Sequence, residues 1–273
     1  MTAGSVGLNL ATPLRELPSS PIPCPKSVWL VRHGESAGNV ARDAAEQGGK
    51  HTIEIVGRDV DVPLSRLGER QSRALGRWIA QLDEGQRPTV LLTSPYTRAR
   101  QTAELLVAES KLDRQQLAFV VDERLREKEF GSLNRFTKAG IVAQFPQEAA
   151  RRQEVGKFYY RPPGGESWCD VILRLRSVLD HIELRYAGER VLVVAHQVIV
   201  LCFRYLIEEL DEERILAIDS ERDVANCSLT RFEHGADHAG RPKLLLRDFN
   251  FVAPIEEAGE PVTRQPDPAV IKS

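Results

Sequence analysis

Three observations predict an α/β fold, a three-layer α/β/α sandwich with a mostly parallel mixed sheet and helices on both faces. Short apolar runs at Val28–Arg32 and Val191–Ala195 read as strands buried on both sides, because they lack the alternation of a half-exposed strand. Stretches with apolar residues at helical spacing lie between such runs, most clearly at Ser167–Tyr186. There Val171, Ile172, Leu175, Val178, Leu179 and Ile182 form one continuous stripe. Strands alternating with helices require crossovers that cover both faces of one sheet.

The elements follow in order. Residues 1–26, with Pro13, Pro18, Pro21, Pro23 and Pro25, read as an extended or disordered arm. After the first strand, Leu64–Leu82 places Leu67, Leu75, Trp78, Ile79 and Leu82 at helical spacing, and Thr89–Leu92 is a second strand. Thr97–Ala108 predicts a helix with Ala99, Ala103, Leu106 and Val107 inward, and Phe119–Val121 a short strand. The strand Val191–Ala195 is backed by a helix over Val198–Glu208, and Cys227–Phe232 and Leu244–Phe249 close the sheet near an edge. The polar stretch 40–57 predicts a loop on the rim of a site. Pro254, Pro261, Pro266 and Pro268 mark 251–273 as a C-terminal tail, leaving 27–250 as the folded domain.

Composition narrows the function classes. A chain of 273 residues, 42% hydrophobic and 28% charged, fits one domain of roughly 220–230 residues with ragged ends. A net charge of −2 from 37 basic and 39 acidic residues gives no case for nucleic acid or a membrane surface. The apolar runs are too short to span a bilayer. The N-terminus has no basic region followed by an apolar core, so no secretory signal is expected. Cys24, Cys169, Cys202 and Cys227 show no C-x-x-C pairing and predict reduced thiols in the cytoplasm. His234 and His238 stand four apart in a turn-like context and predict no metal site. Composition leaves the oligomeric state open, a homodimer included.

Chemistry gathers where strands end. Arg32-His33-Gly34-Glu35 follows the first strand, at the sheet edge where ligands of open α/β proteins bind. An imidazole beside a guanidinium suits attack on phosphate, one as nucleophile and the other as a bidentate grip on oxygen. Arg98 opens the helix after the second strand, where an anion would sit. Glu127 follows the short strand as a protonatable carboxyl, and His196 ends the third long strand. Singly these read as a surface arginine, a salt-bridged glutamate and a core histidine. Five such residues at one edge of one sheet have no simple structural explanation.

The motifs R-H-G-E-S-x-x-N at 32–39, P-L-S-x-x-G-x-x-Q at 63–71, T-S-P-x-x-R-A-x-x-T-A-E at 93–104 and L-R-E-x-x-x-G at 125–131 then come in order before His196. With them the chain resembles the histidine phosphatase superfamily, of phosphoglycerate mutase-like fold, over about residues 27–250. The resemblance implies a two-step reaction through phosphohistidine. His33 would attack phosphorus in line while Arg32, Arg98 and His196 hold the three non-bridging oxygens. Glu127 would protonate the leaving oxygen and then activate water, its pKa raised by the bound phosphate. Asn39 would be a further polar contact to phosphate. No metal or other cofactor is implied.

Residues 151–168 look like the Arg…Lys…Tyr-Arg-Tyr-Pro-x-Gly-Glu-Ser-Tyr stretch of the fructose-2,6-bisphosphatase branch. That likeness makes Arg152 and Lys157 candidates for a second phosphate and the sugar, with Gln197 beside them. Trp168, Lys138 and Leu201 depart from the branch, where Tyr, Tyr and Arg are expected. No G-x-x-x-x-G-K-[ST] loop is present, and Gly48-Gly49-Lys50-His51 is no substitute, so no kinase half is expected. The interval from Glu127 to His196 lacks room for an insertion like the mutase cap, so hydrolysis is expected over mutase-type transfer. A catalytically silent phospho-ligand-binding protein is the other alternative, and the intact His, Arg and Glu set argues against it. Arg58 reads equally as a ligand contact or as a salt-bridge partner of Asp59 or Asp61. The lengths of 40–57 and 135–165 favour a covered site and a small phosphorylated metabolite over a phosphoprotein.

Overall fold

The computed structural model describes residues 24–264. Of the two expected arms, residues 1–23 and 265–273 lie outside the described residues. Strand β1 (Ser27–Arg32) has every residue buried, and its side chains alternate between two cores. Val28 and Leu30 face one core, while Trp29 and Val31 face the other. The same alternation in β2 (Val90–Thr93) and β4 (Arg190–Ala195) explains the continuous apolar runs.

With β3 (Ala118–Val121), β5 (Leu229–Ala236) and β6 (Pro242–Phe251) these strands form one six-stranded sheet in the order β3-β2-β4-β1-β5-β6. β1, β2, β3 and β4 are mutually parallel where they pair, and β5 and β6 add on antiparallel. One face is covered by α2 (Arg66–Gln81) and α3 (Thr97–Glu109), the other by α6 (Trp168–Arg185) and α7 (Gln197–Ile207). The mixed α/β sandwich is thus as the sequence predicts. Ser167 caps α6 through a reciprocal box with Asp170, and Ser65 caps α2 through the Gly68 N–H.

Two expectations change. The expected loop at 40–57 begins as helix, because α1 (Ala37–Gln47) runs into it as far as Gln47. Alanines carry helix propensity without an apolar stripe, and Ser36 and Asn39 cap the element reciprocally. The remainder is bridged to the segment around Phe136: Thr52 pairs with Phe136 and the Ile53 N–H donates to Arg135 O at 2.8 Å. The interval 135–165, to which the sequence assigns no elements, contains α4 (Lys138–Gln144) and α5 (Pro146–Val155). Residues 208–226 contribute α8 (Glu212–Glu221).

The second change concerns the C-terminal side. Residues 251–264 pack as part of the domain, with α9 (Ala253–Glu257) against α2 and Ile255 fully buried. The closing strands are also offset and longer than expected. Cys227 stands outside β5 with a positive φ of 54°, where its N–H donates to Arg32 O at 3.0 Å.

Candidate active site

Parallel register brings the ends of β1, β2 and β4 to one line. Arg32 pairs with Ala195, the His33 N–H donates to Ala195 O at 2.9 Å, and the Ser94 N–H donates to Val194 O at 3.0 Å. Beyond these ends the rings of His33 and His196 meet edge to face, their centroids 5.1 Å apart, both fully buried. His33 Nδ1 lies 2.7 Å from Gly34 O, which can only accept, so Nδ1 carries the proton. The lone pair is thereby left on Nε2. Arg98 Nε donates to it at 3.3 Å.

Arg98 is held from its other side by Asp59. Its two terminal nitrogens donate to Asp59 O at 2.8 Å, Oδ1 at 3.3 Å and Oδ2 at 3.2 Å. Its guanidinium carbon also lies 4.8 Å from the centroid of the Tyr96 ring, which packs edge-on against His196. His196 Nε2 lies 2.8 Å from Ser94 Oγ, and Arg32 donates to Val224 O at 2.6 Å. Buried guanidiniums and imidazoles so fixed form a preorganised electropositive pocket.

The motif residues that carry no obvious chemistry hold this pocket in shape. Ser65 Oγ donates to Glu35 Oε1 at 2.6 Å, and Gln71 Oε1 accepts the Glu35 N–H at 2.9 Å. A Cβ at Gly68 would overlap Glu35 O, so only glycine lets α2 approach the turn after His33. Thr102 Oγ1 accepts the Gly34 N–H at 3.0 Å and donates to Arg98 O at 2.8 Å, tying the turn after His33 to α3.

Glu127 is buried, and its Oε1 accepts the Lys128 N–H at 2.7 Å. Its segment is clamped by Glu166, which pairs with Arg174 and Arg126 and accepts the Glu129 N–H at 3.0 Å. Burial alone would raise the Glu166 carboxyl, but hydrogen bonding and charge from Arg174, then Glu129 N–H and Arg126, bring it below its ordinary value. Gly131 takes a φ of 53°, and a side chain there would run into Pro163 O.

The remaining predicted site residues divide. Asn39 is fully buried and engages Oδ1 with the Ser36 N–H at 2.9 Å and Ser36 Oγ at 2.8 Å, a helix-capping arrangement. Arg58 is exposed and pairs with Asp61 at 2.7 Å, the second of its two readings. Arg152 and Lys157 line one cavity of about 40 Å3 with Trp168, Tyr160 and Lys128. Lys157 pairs there with Asp219, and burial pulls the Arg152 guanidinium below its ordinary value. Gln197 Nε2 donates to Asp223 Oδ1 at 3.0 Å. Leu201, where the branch has Arg, is buried in the apolar core.

Sequence reasoning missed three supports. Asp59 was visible only as a neighbour of Arg58, and its link to Arg98 crosses 39 positions. Asn226 Nδ2 donates to His33 O at 3.0 Å from beyond α8. Lys128 gave no signal beyond standing next to Glu127.

The model of the histidine phosphatase superfamily (branch 1) matches residues 28–244. The chain belongs to the histidine phosphatase superfamily. It is an enzyme of the phosphatase type. Among its relatives is 2,3-bisphosphoglycerate-dependent phosphoglycerate mutase 2 of Gloeobacter violaceus, 31% identical over 86% of this chain and 97% of that one. A probable fructose-2,6-bisphosphatase of Schizosaccharomyces pombe is 32% identical over 70% of this chain, which spans 40% of that protein. A mycobacterial glucosyl-3-phosphoglycerate phosphatase shares the fold, with a TM-score of 0.61 and 24% identity over 83% of this chain and 99% of that one. Among the described residues of this superfamily member, no helix is long and apolar enough to cross a membrane.

Proposed function

We propose that this enzyme hydrolyses the phosphate monoester of a small metabolite through a phosphohistidine intermediate. The observation that carries the proposal is the tautomer of His33: Nδ1 is held by Gly34 O, and Nε2 faces Arg98 in a buried pocket. His33 Nε2 attacks phosphorus, the bond from phosphorus to the ester oxygen breaks, and Glu127 gives its proton to that oxygen. Arg32, Arg98 and His196 offset charge on the three non-bridging oxygens. In the second step Glu127 accepts a proton from water, the water oxygen attacks phosphorus, and the bond from Nε2 breaks to give inorganic phosphate.

The substrate is read as a sugar phosphate or related metabolite, with fructose 2,6-bisphosphate the named candidate. The support is the cavity bearing Arg152 and Lys157, together with the S. pombe relative. Asn39 and Gln197 are retained as substrate contacts, whereas Arg58, turned to Asp61, is not. The unbonded cysteines support a reducing, cytoplasmic setting.

Phosphate release from sugar phosphates, phosphoglycerates and p-nitrophenyl phosphate in EDTA, with wild type and His33→Ala, tests the reading. Release that survives EDTA, vanishes in the variant and favours fructose 2,6-bisphosphate is expected. Release on many esters without preference would remove the named substrate. Movement of phosphate between hydroxyls of a phosphoglycerate would favour mutase chemistry, the activity named for the Gloeobacter relative.

A further inference from the structure

We propose that Lys128 is a substrate-selecting cation, whose ammonium receives a second anionic group carried on the leaving-group side of the phosphomonoester. The proposal rests on the reading of His33 as phosphoryl acceptor and adds a recognition element for the rest of the molecule.

Lys128 is only 8% exposed, and its Nζ lies 4.2 Å from the centroid of the Phe130 ring. Among the described residues that Nζ makes no hydrogen bond and no salt bridge. An ammonium buried without an acceptor is costly, and an apolar side chain of the same length would fill the position more cheaply. The group instead borders the cavity lined by Phe130, Arg152, Lys157, Tyr160 and Trp168. At about 40 Å3 that space holds about three water-sized groups, enough for the oxygens of a carboxylate or the outer face of a phosphate.

The neighbouring charges leave the ammonium available to a ligand. Lys157 is neutralised by Asp219. Glu166 faces Lys128 from the turn before α6 but is taken up by Arg174 and Arg126. Glu127 faces it from its own segment and binds its backbone N–H, Arg152 opposes it from α5, and Cys202 faces it from α7. Burial, set against these groups, pushes the ammonium down to about 8. Because Lys128 directly follows Glu127, the cavity opens off the segment that serves the leaving oxygen. A ligand anion there belongs to the alcohol half of the ester. The ligand class is therefore a small phosphomonoester with a carboxylate or second phosphate on its alcohol.

The test is steady-state phosphate release from matched pairs: 3-phosphoglycerate against glycerol 3-phosphate, and fructose 1,6-bisphosphate against fructose 1-phosphate. The first pair reads the carboxylate and the second the extra phosphate. Wild type is expected to prefer the doubly anionic member of at least one pair in kcat/KM. Lys128→Met should cut that preference by about 10- to 100-fold through KM, and Lys128→Arg should keep most of it. In wild type the preference should fall as pH rises through about 8 and Lys128 loses its proton, while in Lys128→Arg it should persist. Equal use of both members by wild type, or an unchanged preference in Lys128→Met, would overturn the proposal. Should Lys128→Met not fold, the pH series on wild type and Lys128→Arg decides. His33→Ala separates the two readings: release that survives it sinks the phosphohistidine reading, whereas its loss with an intact preference in Lys128→Met sinks this one alone.

Discussion

His33 owes its tautomer to one backbone carbonyl, and Arg98 owes its aim to one carboxylate. Asp59 binds both terminal nitrogens of Arg98 and so turns Nε toward His33. Misplacing a phosphate-binding group by a fraction of an ångström is expensive in rate. Asp59→Asn is therefore expected to lower kcat/KM for any phosphomonoester by about tenfold, with Asp59→Glu recovering part of the loss. Unchanged kinetics in Asp59→Asn would mean that Arg98 is aimed by its own helix. At this scale the charged residues at strand ends were legible, because a His or Arg directly after a buried strand has few structural uses. Asp59 was not, since nothing local distinguishes it from Asp61. The side chain of Arg58 chooses Asp61, which only the folded chain reveals.

Among the elements, the turn 124–131 depends on a neighbour forty residues away. Glu166 reaches Arg126, Arg174 and the Glu129 N–H, so one carboxylate fixes the segment that presents Glu127. Removing its charge leaves Arg174 half-satisfied in a largely buried place. Glu166→Gln is expected to cost roughly 2–4 kcal/mol, read from denaturant unfolding. The carboxyl of Glu166 sits below its ordinary pKa, so its contribution is full above the unfolded carboxylate range and is lost as pH falls through the depressed folded value. The gap between wild type and Glu166→Gln should therefore narrow on acidification, and a gap constant with pH would contradict the ion-pair account. The helices α2, α3, α6 and α7 were legible from their apolar stripes. The helices α1, α4 and α5 were not, being short or poor in buried apolar residues, and their stability comes from caps and contacts.

The whole molecule closes its site with its last described residues. Gln71, which holds the Glu35 N–H, donates to Pro261 O at 2.9 Å and Thr263 Oγ1 at 3.0 Å. Asn226, which holds His33 O, accepts from Thr263 Oγ1 at 3.0 Å. The segment after β6 thus braces the turn after His33 from behind, anchored by the buried Ile255. Ile255→Ala is expected to cost about 2–4 kcal/mol of stability, and thermal unfolding would show it as a lowered Tm. A Tm equal to wild type would make the segment an appendage, as the proline-rich sequence after residue 250 suggested. The prolines that read as a tail concealed a short helix with Pro254 near its start. The sheet order was legible only as a class, because register and strand neighbours depend on contacts that periodicity does not encode.

The proposed reaction passes phosphate through His33 Nε2, where the intermediate can be trapped. Rapid mixing with a turned-over monoester, an alkaline quench that preserves phosphohistidine, and peptide mass mapping test it most directly. One phosphoryl group is expected on the peptide containing His33, formed within the first turnover and lost as substrate is exhausted. Continued turnover with that peptide unmodified at every time point, or with the label on His196 instead, would contradict it.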